Sequence, residues 1–172
     1  MDSGHEPAPW PGLINGVSFS PYRAGQDPQS ARHPTPRQID EDLALLARHV
    51  RQVRTYSAID GLEAVPELAE RHGLGVVAGA WIDGRMERNE REVAGLIQLA
   101  REHENVTRVL VGNETLLRGD VTMEQMVDYI RRVRTQVDIP VSTAEPWHVW
   151  LQYPQLGREV DFVAIHILPY WE

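Results

Sequence analysis

Short apolar runs rich in valine, isoleucine and alanine recur along the chain, and longer segments with apolar residues every three or four positions separate them. The short runs predict strands, and the longer segments predict amphipathic helices. Regular alternation of strand and helix favours an α/β fold in which helices cover a parallel sheet. Six strands are predicted, at residues 14–20, 50–55, 74–81, 106–111, 139–144 and 160–168.

Two of the predicted helices open with the same start signal. Thr35 is followed by Pro36 and, three residues on, by Gln38, and Thr122 is followed in the same way by Gln125. Threonine with glutamine three positions later is a capping box, in which the two side chains bind the free amide groups of the first turn. We expect further helices opening at residues 60–63 and 89–92, and one over 147–156.

Polar and aromatic residues are concentrated directly after the predicted strands. Functional groups supplied by many strand ends to one rim are typical of a (β/α)8 or TIM barrel. No glycine-rich phosphate loop follows the first strand, which disfavours a nucleotide-binding doubly wound sheet. A TIM barrel has eight strands, so we expect residues 14–172 to supply about six βα units of a barrel truncated before its seventh strand. Residues 1–13, with three prolines, predict an extended lead-in.

The fourth predicted strand carries the strongest chemical signal. Its valine- and leucine-rich run, Val106–Val111, is typical of a strand buried on both faces. The run stops at Gly112, and Asn113 and Glu114 follow at the end where barrel enzymes keep their catalytic groups. The alternative interpretation is that Glu114 is a loop carboxylate without chemistry.

The composition narrows the possible chemistry. The 172 residues include 17 basic residues, all of them arginine, and 25 acidic residues, for a net charge of −8. This balance argues against a nucleic-acid partner and suits a neutral partner such as a sugar. Without lysine or cysteine the chain has no Schiff-base lysine, thiolate nucleophile, disulfide or cysteine metal site. We predict no cofactor and no metal.

Targeting signals are missing from the sequence as it stands. No apolar run is long enough to cross a membrane. Residues 1–13 have neither the positive start nor the apolar centre of a signal peptide. The sequence therefore predicts no compartment.

Five segments, taken in order, resemble glycoside hydrolase family 17, and most closely its bacterial branch of β-1,3-glucanases and β-1,3-glucosyl transferases. The most specific is VGNE at Val111–Glu114. The others are GVSFSPY at Gly16–Tyr22, VRTYS at Val53–Ser57, STAEPWHVW at Ser142–Trp150 and HILPYW at His166–Trp171.

The resemblance implies a (β/α)8 barrel that acts on β-1,3-glucan with retention of configuration. It implies that Glu114 is the acid/base and that Asn113 hydrogen-bonds the sugar beside the reacting carbon. In that family the nucleophile is a second glutamate, on the seventh strand. These 172 residues stop before that strand, so we expect the chain to be inactive by itself.

Aromatic side chains after the strands indicate how a glucan would be held. Sugar rings stack on aromatic faces, so a glucan cleft exposes tryptophan and tyrosine near its carboxylates. The alternative is that these rings only cap the core, and Trp150, inside a predicted helix, is expected to do so. The predicted substrate-binding rings are Tyr56, Trp81, Trp147 and Tyr170.

Three further polar residues lie near the same rim. Glu145 ends the fifth strand and is the best internal candidate for a second carboxylate, although a supporting hydrogen-bond acceptor is the more common role for such a residue. We include Glu145 and His166 among the predicted substrate-binding residues. Arg54, near the end of the second strand, would orient a carboxylate or pair with a structural acid.

Two other functions are compatible with the sequence. One is a non-catalytic carbohydrate-binding barrel that keeps the aromatic cleft. The other is a metal-dependent barrel enzyme of the sugar-isomerase type, with His148 and His166 joining Glu114 and Glu145 as ligands. The spacing of these four residues matches no known metal-binding motif.

Overall fold

The computed structural model describes residues 12–30 and 32–168. Six parallel strands form one sheet in the order of the sequence, curled into a half-barrel. The strands are β1 (Val17–Ser18), β2 (Gln52–Arg54), β3 (Gly75–Ala80), β4 (Val106–Asn113), β5 (Val141–Pro146) and β6 (Ala164–His166). The helices are α1 (Pro36–Leu46), α2 (Val65–Arg71), α3 (Met86–Glu102), α4 (Thr115–Arg118), α5 (Met123–Arg134) and α6 (Trp147–Gln152), with 3₁₀ turns at Leu62–Ala64 and Pro154–Arg158.

All six predicted strands are present, and the α/β class with a parallel sheet is confirmed. The outermost strands are shorter than expected, because β1 and β6 each pair on one side only. Ile14, at the expected start of β1, makes a single bridge to Val50. By contrast, β4 continues two residues beyond its predicted end, to Asn113. Closure into an eight-stranded barrel stays a prediction.

The two predicted capping boxes are confirmed, whereas other predicted helix bounds differ from the structure by several residues. Thr35 and Thr122 both form complete capping boxes, with Gln38 and Gln125. Helix α3 begins at Met86, three residues before the predicted start at Asn89. The predicted helix over 147–156 divides in two, because Pro154 lacks the amide hydrogen that would continue α6. Helix α4 was not predicted.

The core lies between the sheet and the helices packed on it. Val76, Ala78 and Ala80 are every second residue of β3, and all three side chains are buried. The largest fully buried apolar side chains on the helices are Ile39, Leu43, Leu96, Met126 and Ile130. Within the described part of the chain, no helix is both long and apolar enough to cross a lipid bilayer.

The pairing of β4 with β5 is irregular immediately before the strand ends. Leu110 is opposite Ser142, but Asn113 is opposite Ala144. Over this interval β4 therefore contains one residue more than β5. Gly112 lies inside it with a φ of 82°. A bulge that contains glycine in the left-handed region bends a strand and redirects the side chains that follow.

We predict that Gly112→Ala destabilises the protein by about 2 kcal/mol or more. A Cβ atom there would lie 2.6 Å from Thr115 Oγ1 and 3.0 Å from Met126 Cε, in addition to the strain of a positive φ. Gly119→Ala is the control, since it has a φ of 68° but nothing within 4 Å. Its cost should be about 1 kcal/mol. Equal losses in denaturant-unfolding free energy would show that packing around Gly112 contributes nothing.

Candidate active site

Glu114 is held in an uncommon backbone conformation at the end of β4. Its φ and ψ are 54° and 30°, in the left-handed region, and it precedes the first residue of α4. Its amide donates to the carbonyl of Ala144 on β5, at 2.7 Å. A residue other than glycine in this region costs on the order of 1 kcal/mol, and such residues cluster at functional sites.

The side chain of Glu114 belongs to a network contributed by three strands. Glu114 Oε1 lies 2.6 Å from Nδ1 of His166 on β6. On the far side of that ring, Nη1 of Arg54 on β2 lies 3.1 Å from His166 Nε2. Arg54 Nη2 also donates to Asn113 Oδ1, at 2.7 Å. The network therefore brings together Glu114, Asn113 and His166, three of the predicted site residues.

The network fixes the tautomer of His166. The Arg54 guanidinium can only donate, so Nε2 of a neutral His166 accepts and Nδ1 carries the proton. That proton is then donated to the Glu114 carboxylate. Burial lowers the pKa of Arg54, and Glu114 and Tyr56 oppose this shift, so the guanidinium keeps its charge. Neither of the two roles expected for Arg54 is shown: among the described residues its guanidinium contacts no carboxylate, and it reaches Glu114 through His166.

Two arginines also cover aromatic rings at the rim. Arg54 Cζ lies 4.9 Å from the ring centroid of Tyr56, and Arg118 Cζ lies 4.5 Å from that of Trp81. Arg118 also donates to the Asn113 carbonyl and, at 2.9 Å, to the Ile82 carbonyl. Arg118 was not predicted, because no sequence motif marks a residue at the end of a four-residue helix.

A cavity of about 360 Å³ opens beside these two rings. Its volume is in the range of small-molecule sites. Tyr56 and Trp81, both predicted to bind substrate, contribute to its wall. The remaining lining mixes apolar and polar side chains, among them Phe19, Leu62, Gln29, Ser57, Arg85 and Arg88.

Glu145 lies beneath α4, with none of its surface exposed. Its Oε1 accepts from the amide of Leu116 at 2.8 Å, and its Oε2 from the amide of Leu117 at 3.3 Å. The carboxyl group thus binds the free amides of the first turn of α4. This geometry favours the supporting role for Glu145 over direct contact with a sugar or with the reacting carbon.

The other residues named in the sequence predictions, as far as the structure describes them, belong neither to the Glu114 network nor to the cavity wall. Trp147 begins α6, is 43% exposed, and has its ring edge-on to that of His148. Trp150 is buried and donates to the Ala164 carbonyl, as expected for a packing residue. Tyr170 lies outside the described residues, as do Trp171 and Glu172. Within residues 12–30 and 32–168, no group of three or more histidine and acidic side chains is arranged to hold a metal ion.

Comparison with known proteins identifies the family. Residues 16–172 match the model of the BtgE/BtgC glycoside hydrolase domain. The chain belongs to this glycoside hydrolase family. The chain is therefore related to hydrolases of glycosidic bonds, and the carboxylate at the end of β4 lies in a domain of that class.

Curated relatives of the chain are similar at low identity. It is 27% identical over 164 residues to "Probable beta-glucosidase btgE" of Aspergillus flavus, covering 91% of this chain and 26% of that protein. It is 31% identical over 141 residues to "Glucan 1,3-beta-glucosidase" of Arthroderma benhamiae, covering 78% and 46%. The fission yeast Schizosaccharomyces pombe protein of the same name is 28% identical over 145 residues, covering 76% and 45%. The chain thus spans between about a quarter and about half of the length of these relatives.

We predict that Glu145 makes stability depend on pH. Burial raises the pKa of its carboxyl group, and the Leu116 and Leu117 amides only partly oppose this. A raised folded-state pKa means that the stabilising contribution is fully present below the unfolded value, about 4.5, and is lost as pH rises through the folded-state pKa. Glu145→Gln stays neutral, so its unfolding free energy should fall less with rising pH.

The measurement is denaturant unfolding at several pH values from about 4 to about 8. Glu70→Gln, which alters an exposed carboxyl on α2, is the matched control and should follow the wild-type curve. Parallel curves for wild type and Glu145→Gln would show that the Glu145 carboxyl titrates alike in the folded and unfolded chains.

Proposed function

We propose that the chain carries the acid/base half of a retaining glycoside hydrolase that acts on β-1,3-glucan, with Glu114 as general acid and base. The observation that carries the proposal is the network of Glu114, His166, Arg54 and Asn113 at the carboxyl edge of the sheet. The family match supports glycosidic chemistry, and two relatives are named for a 1,3-β-glucan.

In the first step, Glu114 protonates the glycosidic oxygen as a second carboxylate attacks the anomeric carbon, so that the bond to the leaving sugar breaks and a glycosyl ester forms. In the second step, Glu114 takes a proton from water as that water attacks the anomeric carbon of the ester, so that the bond to the second carboxylate breaks and the sugar is released. A sugar hydroxyl in place of that water would give glycosyl transfer. The contact of 2.6 Å between His166 Nδ1 and Glu114 Oε1 orients the carboxyl group for these steps.

The second carboxylate must lie about 5–5.5 Å from Glu114 in a retaining enzyme. Glu145 does not suit this role, because both of its oxygens bind backbone amides below α4. We therefore place the nucleophile on a seventh strand, adjacent to β6 in a closed (β/α)8 barrel, as the resemblance to glycoside hydrolase family 17 implies. Asn113 directs its amide oxygen to Arg54, so a sugar hydroxyl would meet its NH₂ group.

We predict that Glu114→Gln in the whole protein lowers glucan hydrolysis by about 10²–10⁴-fold, the usual contribution of general acid–base catalysis. Binding of a β-1,3-linked oligosaccharide should stay near the wild-type value, because the amide keeps the shape of the side chain. Turnover would be measured on an unactivated glucan and binding by calorimetry.

Glu124→Gln, an exposed position on α5, is the matched control and should retain full activity. A Glu114→Gln protein with normal turnover would exclude Glu114 as the acid. A wild-type protein that binds the oligosaccharide but never cleaves it would favour the alternative of a carbohydrate-binding barrel.

We predict that Trp147→Ala weakens oligosaccharide binding by about 1 kcal/mol, or roughly fivefold in Kd. The ring follows β5 and is exposed, so it offers a stacking surface near the rim. Leu151→Ala on the same helix removes a side chain that is 71% exposed and is the control. If both variants bind alike, Trp147 does not contact the sugar.

A further inference from the structure

Helix α3 presents buried polar side chains to the cavity wall. Asn89 and Glu92, three residues apart, have no exposed surface, although Val93 and Leu96 on the same helix pack in the apolar core. A buried carboxylate is costly unless it is hydrogen-bonded. The contacts of Glu92 therefore indicate what the side chain does.

The carboxylate of Glu92 joins the loops that follow β2 and β3. It accepts from Ser57 Oγ at 2.7 Å and from the Ala58 amide at 2.8 Å. The backbone amide of Trp81 also lowers the pKa of this carboxyl group. One buried side chain thus binds the residues directly after Tyr56 and interacts with the main chain of Trp81, and both of these rings line the cavity.

Two neighbouring positions on α3 show the same close fit to these loops. Asn89 accepts from the Asp83 amide at 3.0 Å and donates to the Asp83 carbonyl at 2.6 Å. At Gly95 a Cβ atom would lie 2.8 Å from the Ala58 carbonyl oxygen, so helix and loop approach backbone to backbone. Contacts with residues 89–95 of α3 therefore hold both loops in place.

The charge of Glu92 is only weakly balanced. Arg88 approaches it at 3.6 Å, but the same guanidinium lies closer to Asp60, at 2.8 Å. Burial raises the pKa of Glu92, against the hydrogen bonds from the two loops. An apolar residue at this position would leave the buried Ala58 amide and the Ser57 hydroxyl without an acceptor, so the carboxylate is what orders the loop after β2.

We infer that Glu92 is a positioning residue that holds Tyr56 and Trp81 as walls of a subsite for a glucosyl unit in the cavity that these two rings line. The saccharide part of this inference rests on the proposed function. The positioning of the two loops does not, since it follows from the contacts of Glu92 alone.

The test compares Glu92→Gln with the wild type in the whole protein. Glutamine keeps the size of the side chain, but its NH₂ group would face a backbone or hydroxyl donor. Amide hydrogen exchange should become faster in segments 56–58 and 81–83, and remain unchanged at residues 106–111 of β4. The KM for a laminari-oligosaccharide of defined length should rise about tenfold, with kcat within about twofold.

Glu90→Gln is the matched control. It lies on the same helix, is exposed, and removes an ion pair with Arg132 at 2.6 Å, away from both loops. It should leave exchange in the two loops and KM unchanged. Thermal unfolding of both variants is followed in parallel, because a merely structural role for Glu92 would lower the melting temperature and raise exchange throughout the sheet.

The exchange and sugar experiments separate the two possible failures. Wild-type exchange in both loops of Glu92→Gln would overturn the positioning role. Faster loop exchange with an unchanged KM would overturn the glucosyl subsite. If the wild-type protein neither binds nor cleaves the oligosaccharide, the proposed function fails, while the exchange result still decides whether Glu92 positions the loops.

Discussion

The backbone bend at the end of β4 determines how the site is built. A regular strand would direct Asn113 and Glu114 to opposite faces of the sheet. The bulge at Gly112, with its positive φ, and the left-handed backbone of Glu114 together change both directions. As a result Asn113 reaches Arg54, and Glu114 reaches His166. The strain at Glu114 is sustained because neighbouring strands and α4 fix the residues on either side of it.

Two buried carboxylates order the main chain around the sheet edge. Glu145 binds the first turn of α4, directly after Glu114, and Glu92 binds the loop after β2. Both are fully buried, and both accept hydrogen bonds from the main chain. Glu114, by contrast, keeps 28% of its side chain exposed and has a histidine partner. Exposure and partner type thus distinguish Glu114 from the two buried carboxylates.

The sequence predicted most of the fold because strand and helix follow from local patterns. The apolar run before Gly112 and the two capping boxes are signals read within a few residues, and the structure confirms them. The short helix α4 has no such signal, because the free amides of its first turn donate hydrogen bonds to Glu145, which lies on another strand. The same limit applies to the bonds of Glu92 to Ala58 and of Arg118 to Ile82, which join residues 34 and 36 positions apart along the chain. Such contacts exist only once the sheet has formed.

Two arginines at the rim make contacts that lysine could not make. Arg54 uses two nitrogens of one planar group to reach His166 and Asn113, and its flat face lies over Tyr56. An ammonium group offers neither the fixed fork nor the flat surface. Arg118 combines the same functions at Trp81. In each case the guanidinium covers one face of the ring and links it to the strand that carries Asn113 and Glu114. The rings are therefore ordered before any ligand arrives, which would reduce the entropy lost if a sugar stacks on the other face, as the proposed function requires.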